Sequence, residues 1–198
     1  MTPRADDGPA APLVLRPEDL LDAGWRELCD ADRPGEPGDE AGLGVLLASR
    51  FPEQHVRAVA DSPAFVRPPA LLAYSTAVVL ADEAAARRAF AVVASAEFAS
   101  SFAHAVGTGV MVGQGEATFL GSTATPLALE AGPGEGAAHR ISFGGATADA
   151  LVPAYVDLVA LAARDRVMLL WLASAPAPFP AAERDRVVAR TRGRLAAA

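Results

Sequence analysis

Asp157 has the sequence setting that comes closest to a catalytic one. It interrupts the apolar run AYVDLVALA at residues 154–162 and shares one face of an extended segment with Tyr155, Val159 and Leu161. A carboxylate among such neighbours is partly removed from water. This suits Asp157 to general acid or base work, with Tyr155 assisting. The alternative is a structural carboxylate that faces water on an outer strand or binds the backbone.

A second group of residues has the chemistry of an apolar binding site. Phe98 and Phe102 lie four residues apart on one face of a predicted helix, and Trp171 projects from a strand expected beneath it. Together with Tyr74 and Met168, they are predicted to line a pocket for a hydrophobic small molecule. The alternative is that these side chains only fill a core.

Metal and cofactor sites are not expected from the remaining reactive residues. His55, His104 and His139 lack the short spacings of a zinc site. Cys29 is the only cysteine and belongs to no CxxC motif, so no intramolecular disulfide is predicted. The glycines after Gly107 do not follow the order that a dinucleotide or phosphate loop requires.

The aromatic residues must be positioned by the segment 71–107, which predicts a strand followed by two helices. Residues 71–80 are mostly apolar on both faces, as in the interior of a sheet. Asp82 is placed to cap a helix that buries Phe90. A second helix is predicted to begin at Ser95 and to end at Gly107.

Asp157 and Trp171 must be positioned by the last two strands, predicted at residues 154–162 and 167–174. A two-residue turn between them predicts a hairpin. That turn sets the cross-strand partners, which are Tyr155 with Ser174 and Asp157 with Leu172. Both faces of the last strand are apolar. Helices can cover one face, and the other must meet a ligand cavity, another layer of the same chain or a second subunit.

The order of elements predicts an α+β fold. We expect an antiparallel β-sheet covered by helices on one face, a two-layer sandwich with an internal hydrophobic cavity. Residues 1–12 are predicted to be a flexible tail, and residues 13–198 a single domain.

Composition excludes several classes of partner. The net charge is −7 and the 17 basic residues form no arginine-rich face, so no nucleic-acid partner is expected. The most apolar run, at residues 151–163, is too short and too interrupted to span a membrane. Residues 1–12 do not have the pattern of a signal peptide, so a cytoplasmic location is expected.

Three stretches resemble the actinobacterial PknH-like and lipoprotein-type sensor domains. They are LVLRPEDLLDAGW at residues 13–25, STAVVLADEAAARRAFAVVAS at residues 75–95 and RVMLLWLASAPAPFPAAERDRVVARTRGRL at residues 166–195. The resemblance implies an antiparallel sheet and helices around a cavity for small or lipidic ligands. Exported members carry a signal or lipobox and paired cysteines, and this sequence has neither. The resemblance therefore implies the fold and the cavity rather than an extracellular sensor role.

Three functions are compatible with these observations. The first is the binding of a hydrophobic small molecule between sheet and helices. The second is an enzyme without a cofactor, such as a cyclase or isomerase of bacterial secondary metabolism, that orients an apolar substrate in the same cavity. The third is a structural domain that forms a homodimer through its apolar surface.

Overall fold

The computed structural model describes residues 8–20, 24–28, 55–113, 118–146 and 151–198. Within these ranges the chain forms eight strands, three α-helices and a short 3-10 helix at Pro17–Asp19. The strands are β1 Arg26–Glu27, β2 Val56–Asp61, β3 Phe65–Arg67, β4 Leu71–Leu80, β5 Thr118–Leu127, β6 Glu135–Ala146, β7 Leu151–Ala163 and β8 Arg166–Ser174. The helices are α1 Glu83–Val93, α2 Ala96–Gly113 and α3 Ala181–Ala197.

The eight strands form one antiparallel sheet in the order β1-β3-β4-β8-β7-β6-β5. Strand β2 pairs with β4 beside β3, so these two short strands share one edge of β4. Strands β4, β8 and β7 lie at the centre, where most of their apolar residues are shielded on both faces. The predicted α+β fold with an antiparallel sheet and helices is confirmed.

The predicted junction between β4 and α1 is also confirmed. Asp82 Oδ1 accepts a hydrogen bond from the backbone N–H of Ala85 at 2.7 Å, which caps the first turn of the helix. Glu83 and Arg87 form the ion pair expected for charges four residues apart. The inner face of α1 then places Phe90 in the core beneath the helix.

The hairpin of β7 and β8 has the predicted register. Its two-residue turn is Arg164 and Asp165, and Arg164 adopts a φ of 54°, in the left-handed region that tight hairpin turns use. The partners beyond the turn are Tyr155 with Ser174 and Asp157 with Leu172. A two-residue turn leaves no freedom in the pairing, so the turn determines which side chains share a face.

Helix α2 is longer than predicted, because it continues past Gly107 to Gly113. A glycine inside a helix costs about 1 kcal/mol relative to alanine, which makes Gly107 a reasonable end on local grounds. In the fold, α2 lies across β5 and β6. Packing of a helix on a sheet outweighs a propensity of this size.

The chain covers both faces of the sheet. Helices α1 and α2 cover one face, as predicted, and α3 with the N-terminal segment 8–20 covers the other. Val187 and Leu195 of α3 belong to the same buried cluster as Met168 of β8. Of the three expected ways to cover the second face, the structure therefore has another layer of the same chain.

The N-terminal segment joins this second layer earlier than predicted. Ala10 is 0% exposed, so packing begins before the predicted boundary at residue 12, whereas residues 1–7 lie outside the described part. Arg194 of α3 holds the segment through Asp19 and through the carbonyl oxygen of Val14.

Candidate functional site

Four of the five residues predicted to bind a ligand lie together on the face covered by α1 and α2. Tyr74 of β4 and Trp171 of β8 are direct cross-strand partners. The ring of Phe102 meets that of Trp171 edge to face, with centroids 5.5 Å apart. Phe98 and Phe102 stack one turn apart along α2, with centroids 6.2 Å apart. Such ring pairs are a favourable aromatic packing geometry.

Met168, the fifth residue, lies on the opposite face of the sheet. It is 0% exposed within the cluster under α3. Successive side chains of a strand point to opposite faces, so Met168 and Trp171, three positions apart, are on different faces. The prediction that Met168 lines the same pocket as Trp171 is wrong.

The four aromatic residues differ in exposure. Phe98 and Phe102 are buried, whereas Tyr74 and Trp171 are half-buried. Ala173, next to Trp171 on the same face of β8, is also only partly buried. Tyr74, Trp171 and Ala173 thus form a half-open apolar surface supported by the two phenylalanines, which we call the aromatic shelf.

The indole of Trp171 carries an unused hydrogen-bond donor. Its Nε1 atom is shielded from solvent and has no hydrogen-bond partner among the described residues. A buried donor without a partner costs about 1–3 kcal/mol. The indole N–H can only donate, so an acceptor is needed to remove this cost.

Asp157 is the centre of a buried ion-pair cluster on the α3 side of the sheet. Arg140 of β6 donates from Nε to Oδ1 at 2.7 Å and from Nη2 to Oδ2 at 2.8 Å. Arg184 of α3 donates from Nη1 to Oδ2 at 3.3 Å. The hydrogen bonds to Asp157 raise the pKa of Arg140 above its usual range.

This geometry supports a structural role for Asp157 rather than a catalytic one. Tyr155 is half-buried on the same face of β7, as predicted. Asp157, however, is 0% exposed, and both of its oxygens are bound by guanidinium groups. A general acid or base must lie within hydrogen-bond reach of the substrate.

Sequence reasoning missed a row of polar contacts that fix α3 to the rest of the fold. Glu183 accepts hydrogen bonds from Trp25 Nε1 at 2.9 Å and from Arg67 Nη2 at 2.6 Å. Arg192 donates to the carbonyl oxygen of Glu130 at 2.7 Å. These partners lie 62 to 158 residues apart in the sequence, so no local spacing could have indicated them.

The described residues contain no group of three histidine, cysteine or acidic side chains that could hold a metal ion. In the same part of the chain, no helix is long and apolar enough to cross a membrane. No known family model matches the sequence, and no characterised protein matches it significantly. The geometry of the two faces therefore has to carry the functional argument.

Proposed function

We propose that the protein binds an apolar small molecule with a hydrogen-bond acceptor on the aromatic shelf. The observation that carries the proposal is Trp171, whose Nε1–H has no partner among the described residues while its ring is half-buried. A ligand lying on Trp171 and Tyr74 would cover apolar surface, and it would have to insert its acceptor below that surface to reach the donor, which is shielded from solvent. The buried rings of Phe98 and Phe102 hold the indole in place.

The test uses Nile red, a neutral apolar dye with a carbonyl acceptor. The chain has two tryptophans, so Trp25→Phe leaves Trp171 as the sole indole. We expect saturable quenching of Trp171 emission as the dye binds, and the rise in Nile red emission gives the affinity of every variant, including Trp171→Phe. Trp171→Phe keeps an aromatic ring but removes the donor. It should weaken dye binding about threefold to tenfold, the worth of one hydrogen bond.

Trp25→Phe is the matched control for Trp171→Phe. Trp25 is partly buried in the cluster on the other face, where its Nε1 already donates to Glu183. Its replacement should leave the affinity for Nile red unchanged. Equal affinities of the two variants, or no saturable binding by the wild type, would overturn the proposal. Independently of the dye test, mass spectrometry of molecules extracted from the purified protein would identify any natural ligand.

The other two functions have less support. The enzymatic alternative depends on Asp157, which is enclosed by Arg140 and Arg184. The dimer alternative has one favourable observation, the exposure of Leu120 on edge strand β5 and of Leu151 on β7. Sedimentation of the wild type and of Leu120→Glu tests it, because a dimer through this edge would dissociate in the variant. The likeness to sensor domains and the cytoplasmic location stay predictions from the sequence.

A further inference from the structure

A cavity of about 120 Å³ lies on the α3 side of the sheet, on the opposite face from the aromatic shelf. Its walls are the segment 129–133 and the facing turns of α3. At about 30 Å³ for each water molecule, it has room for about four waters or one small organic ion. The wall combines apolar residues, namely Leu129, Pro133, Val188 and Ala189, with three charged residues, Glu130, Asp185 and Arg192.

Arg192 is buried in this wall, and no carboxylate of the described residues pairs with it. The residue is 7% exposed, and its guanidinium donates from Nη1 to the carbonyl oxygen of Glu130. Its Nε is shielded from solvent and has no hydrogen-bond partner, and no carboxylate of the described residues lies within ion-pair distance. An isolated buried charge is strongly unfavourable, so an anion in the cavity would be stabilising.

Two glycines leave the space that the guanidinium occupies. A Cβ on Gly132 would lie 2.8 Å from both Cδ and Nη1 of Arg192, and a Cβ on Gly136 would lie 1.8 Å from Nη2. A side chain at either glycine would displace the guanidinium from its position, so the absence of a Cβ lets the backbone approach Arg192 closely.

The neighbouring carboxylates do not neutralise Arg192. Asp185 also lines the cavity, but its Oδ1 already accepts a hydrogen bond from Nε of Arg184 at 2.8 Å and lies 2.8 Å from Nη2 of the same guanidinium. Asp157 is shared by Arg140 and Arg184. Glu130, the other acidic residue of the wall, is exposed, and none of these three carboxylates forms an ion pair with Arg192.

We propose that this cavity binds a small carboxylate with a short apolar chain. Its carboxylate would pair with Arg192, whose planar guanidinium matches carboxylate geometry. Its apolar chain would pack on Leu129, Val188 and Ala189. The segment 129–133 would then be joined to α3 through the ligand as well as through the bond from Arg192 to Glu130.

The charge requirement is tested with butyrate at constant ionic strength. Ligand that binds only the folded state raises the melting temperature by mass action, so the wild type should melt higher as butyrate replaces chloride. Arg192→Gln should weaken binding about tenfold or more, the worth of a charge-assisted bond. Arg190→Gln is the control and should bind normally, because Arg190 is exposed and donates to the carbonyl oxygen of Glu18.

The cavity requirement is tested with a second pair of variants that leaves Arg192 intact. Ala182 and Ala189 are both exposed on α3, but only Ala189 lines the cavity, so Ala189→Leu adds bulk at the cavity wall and Ala182→Leu adds the same bulk away from it. Leucine is a good helix former at either position. Butyrate should fail to stabilise the first variant and should stabilise the second. This pair decides the question if Arg192→Gln does not fold.

Two further ligands separate the parts of the proposal. Butyramide has the shape of butyrate without its charge and should not raise the melting temperature. Inorganic phosphate has charge but no apolar chain and should bind more weakly than butyrate. No response to butyrate, an equal response to butyramide, tighter binding of phosphate, or equal responses of Ala189→Leu and Ala182→Leu would each overturn the assignment.

Discussion

Arg184 Nη1 lies 3.3 Å from Asp157 Oδ2, and this contact joins helix α3 to the centre of the sheet. The same carboxylate holds Arg140 of β6 through two shorter hydrogen bonds. One residue that is 0% exposed thus connects a helix to two strands. Its removal would leave two guanidinium groups without their counter-ion.

Asp157→Asn should therefore destabilise the fold by about 3–5 kcal/mol, the usual effect of breaking a buried ion pair from one side. Chemical denaturation measures the change. Asp165→Asn is the matched control, because Asp165 lies in the hairpin turn and is partly exposed. Its Oδ1 lies 3.6 Å from Nε of Arg166. Its effect should stay below about 1 kcal/mol. A wild-type midpoint for Asp157→Asn would show that the cluster contributes nothing.

Truncation of the aromatic residues beneath the helices should separate core from surface. Phe90 and Phe102 are 9% and 2% exposed, so Phe90→Ala and Phe102→Ala should each cost about 3–5 kcal/mol. Val92→Ala, at an exposed position of α1, should change the free energy of unfolding by less than about 0.5 kcal/mol. The change in the free energy of unfolding of each variant is obtained from its denaturant midpoint, provided that the unfolding curves have equal slopes. A neutral Phe102→Ala would place that ring outside the core.

Acid should destabilise the protein partly through His139. Burial lowers the pKa of His139, which lies on β6 with 7% exposure. Below about pH 6.5, the usual histidine value, the unfolded chain therefore takes up this proton before the folded chain does. The contribution of neutral His139 to the free energy of unfolding is fully present above pH 6.5. It is lost as the pH falls from 6.5 through the lowered pKa of the folded state.

Replacing His139 should flatten this pH dependence. The measurement is the free energy of unfolding of His139→Gln between pH 7.5 and pH 5, in steps of about half a unit, beside the wild type. His104→Gln is the control, since His104 is exposed on α2, and it should keep the wild-type dependence. If the free energy of unfolding of His139→Gln depends on pH as steeply as that of the wild type, other residues cause the acid sensitivity.

The N-terminal cap of α1 should make a smaller contribution to stability. Asp82→Ala removes the acceptor for the N–H of Ala85 and should cost about 1 kcal/mol. Asp82→Asn keeps a good capping side chain and should cost much less. Thermal melts of the two variants compare them directly. Equal losses would indicate that the charge of Asp82, rather than its hydrogen bond, stabilises the helix.

Local chemistry was sufficient to predict the elements that depend on neighbours in the sequence. Asp82 and its helix, the apolar strand β4, and the partners of Asp157 and Tyr155 across the hairpin all follow from short-range rules. In each case the deciding residues lie within about twenty positions of one another. The predicted grouping of Tyr74 with Trp171 succeeded for a related reason, since both belong to predicted central strands.

The rest depends on contacts that only the folded chain creates. Nothing near Gly107 shows that α2 will lie across two strands and continue to Gly113. The cavity beside Arg192 needs Gly132 and Gly136, which lie 56 to 60 positions earlier, to pass close to one side chain. Met168 and Trp171 lie three positions apart on one strand, so their side chains point to opposite faces and cannot line the same pocket.

The bonds from Arg194 to Asp19 and to the carbonyl oxygen of Leu13 span 175 and 181 positions. In a chain made from its N-terminus, the segment 8–20 leaves the ribosome first, whereas α3 is the last of the described elements to emerge. The part of the apolar face with Met168 and Leu170 that α3 covers therefore stays uncovered until residues 181–197 have emerged. A nascent chain stalled before residue 181 would present that face to chaperones.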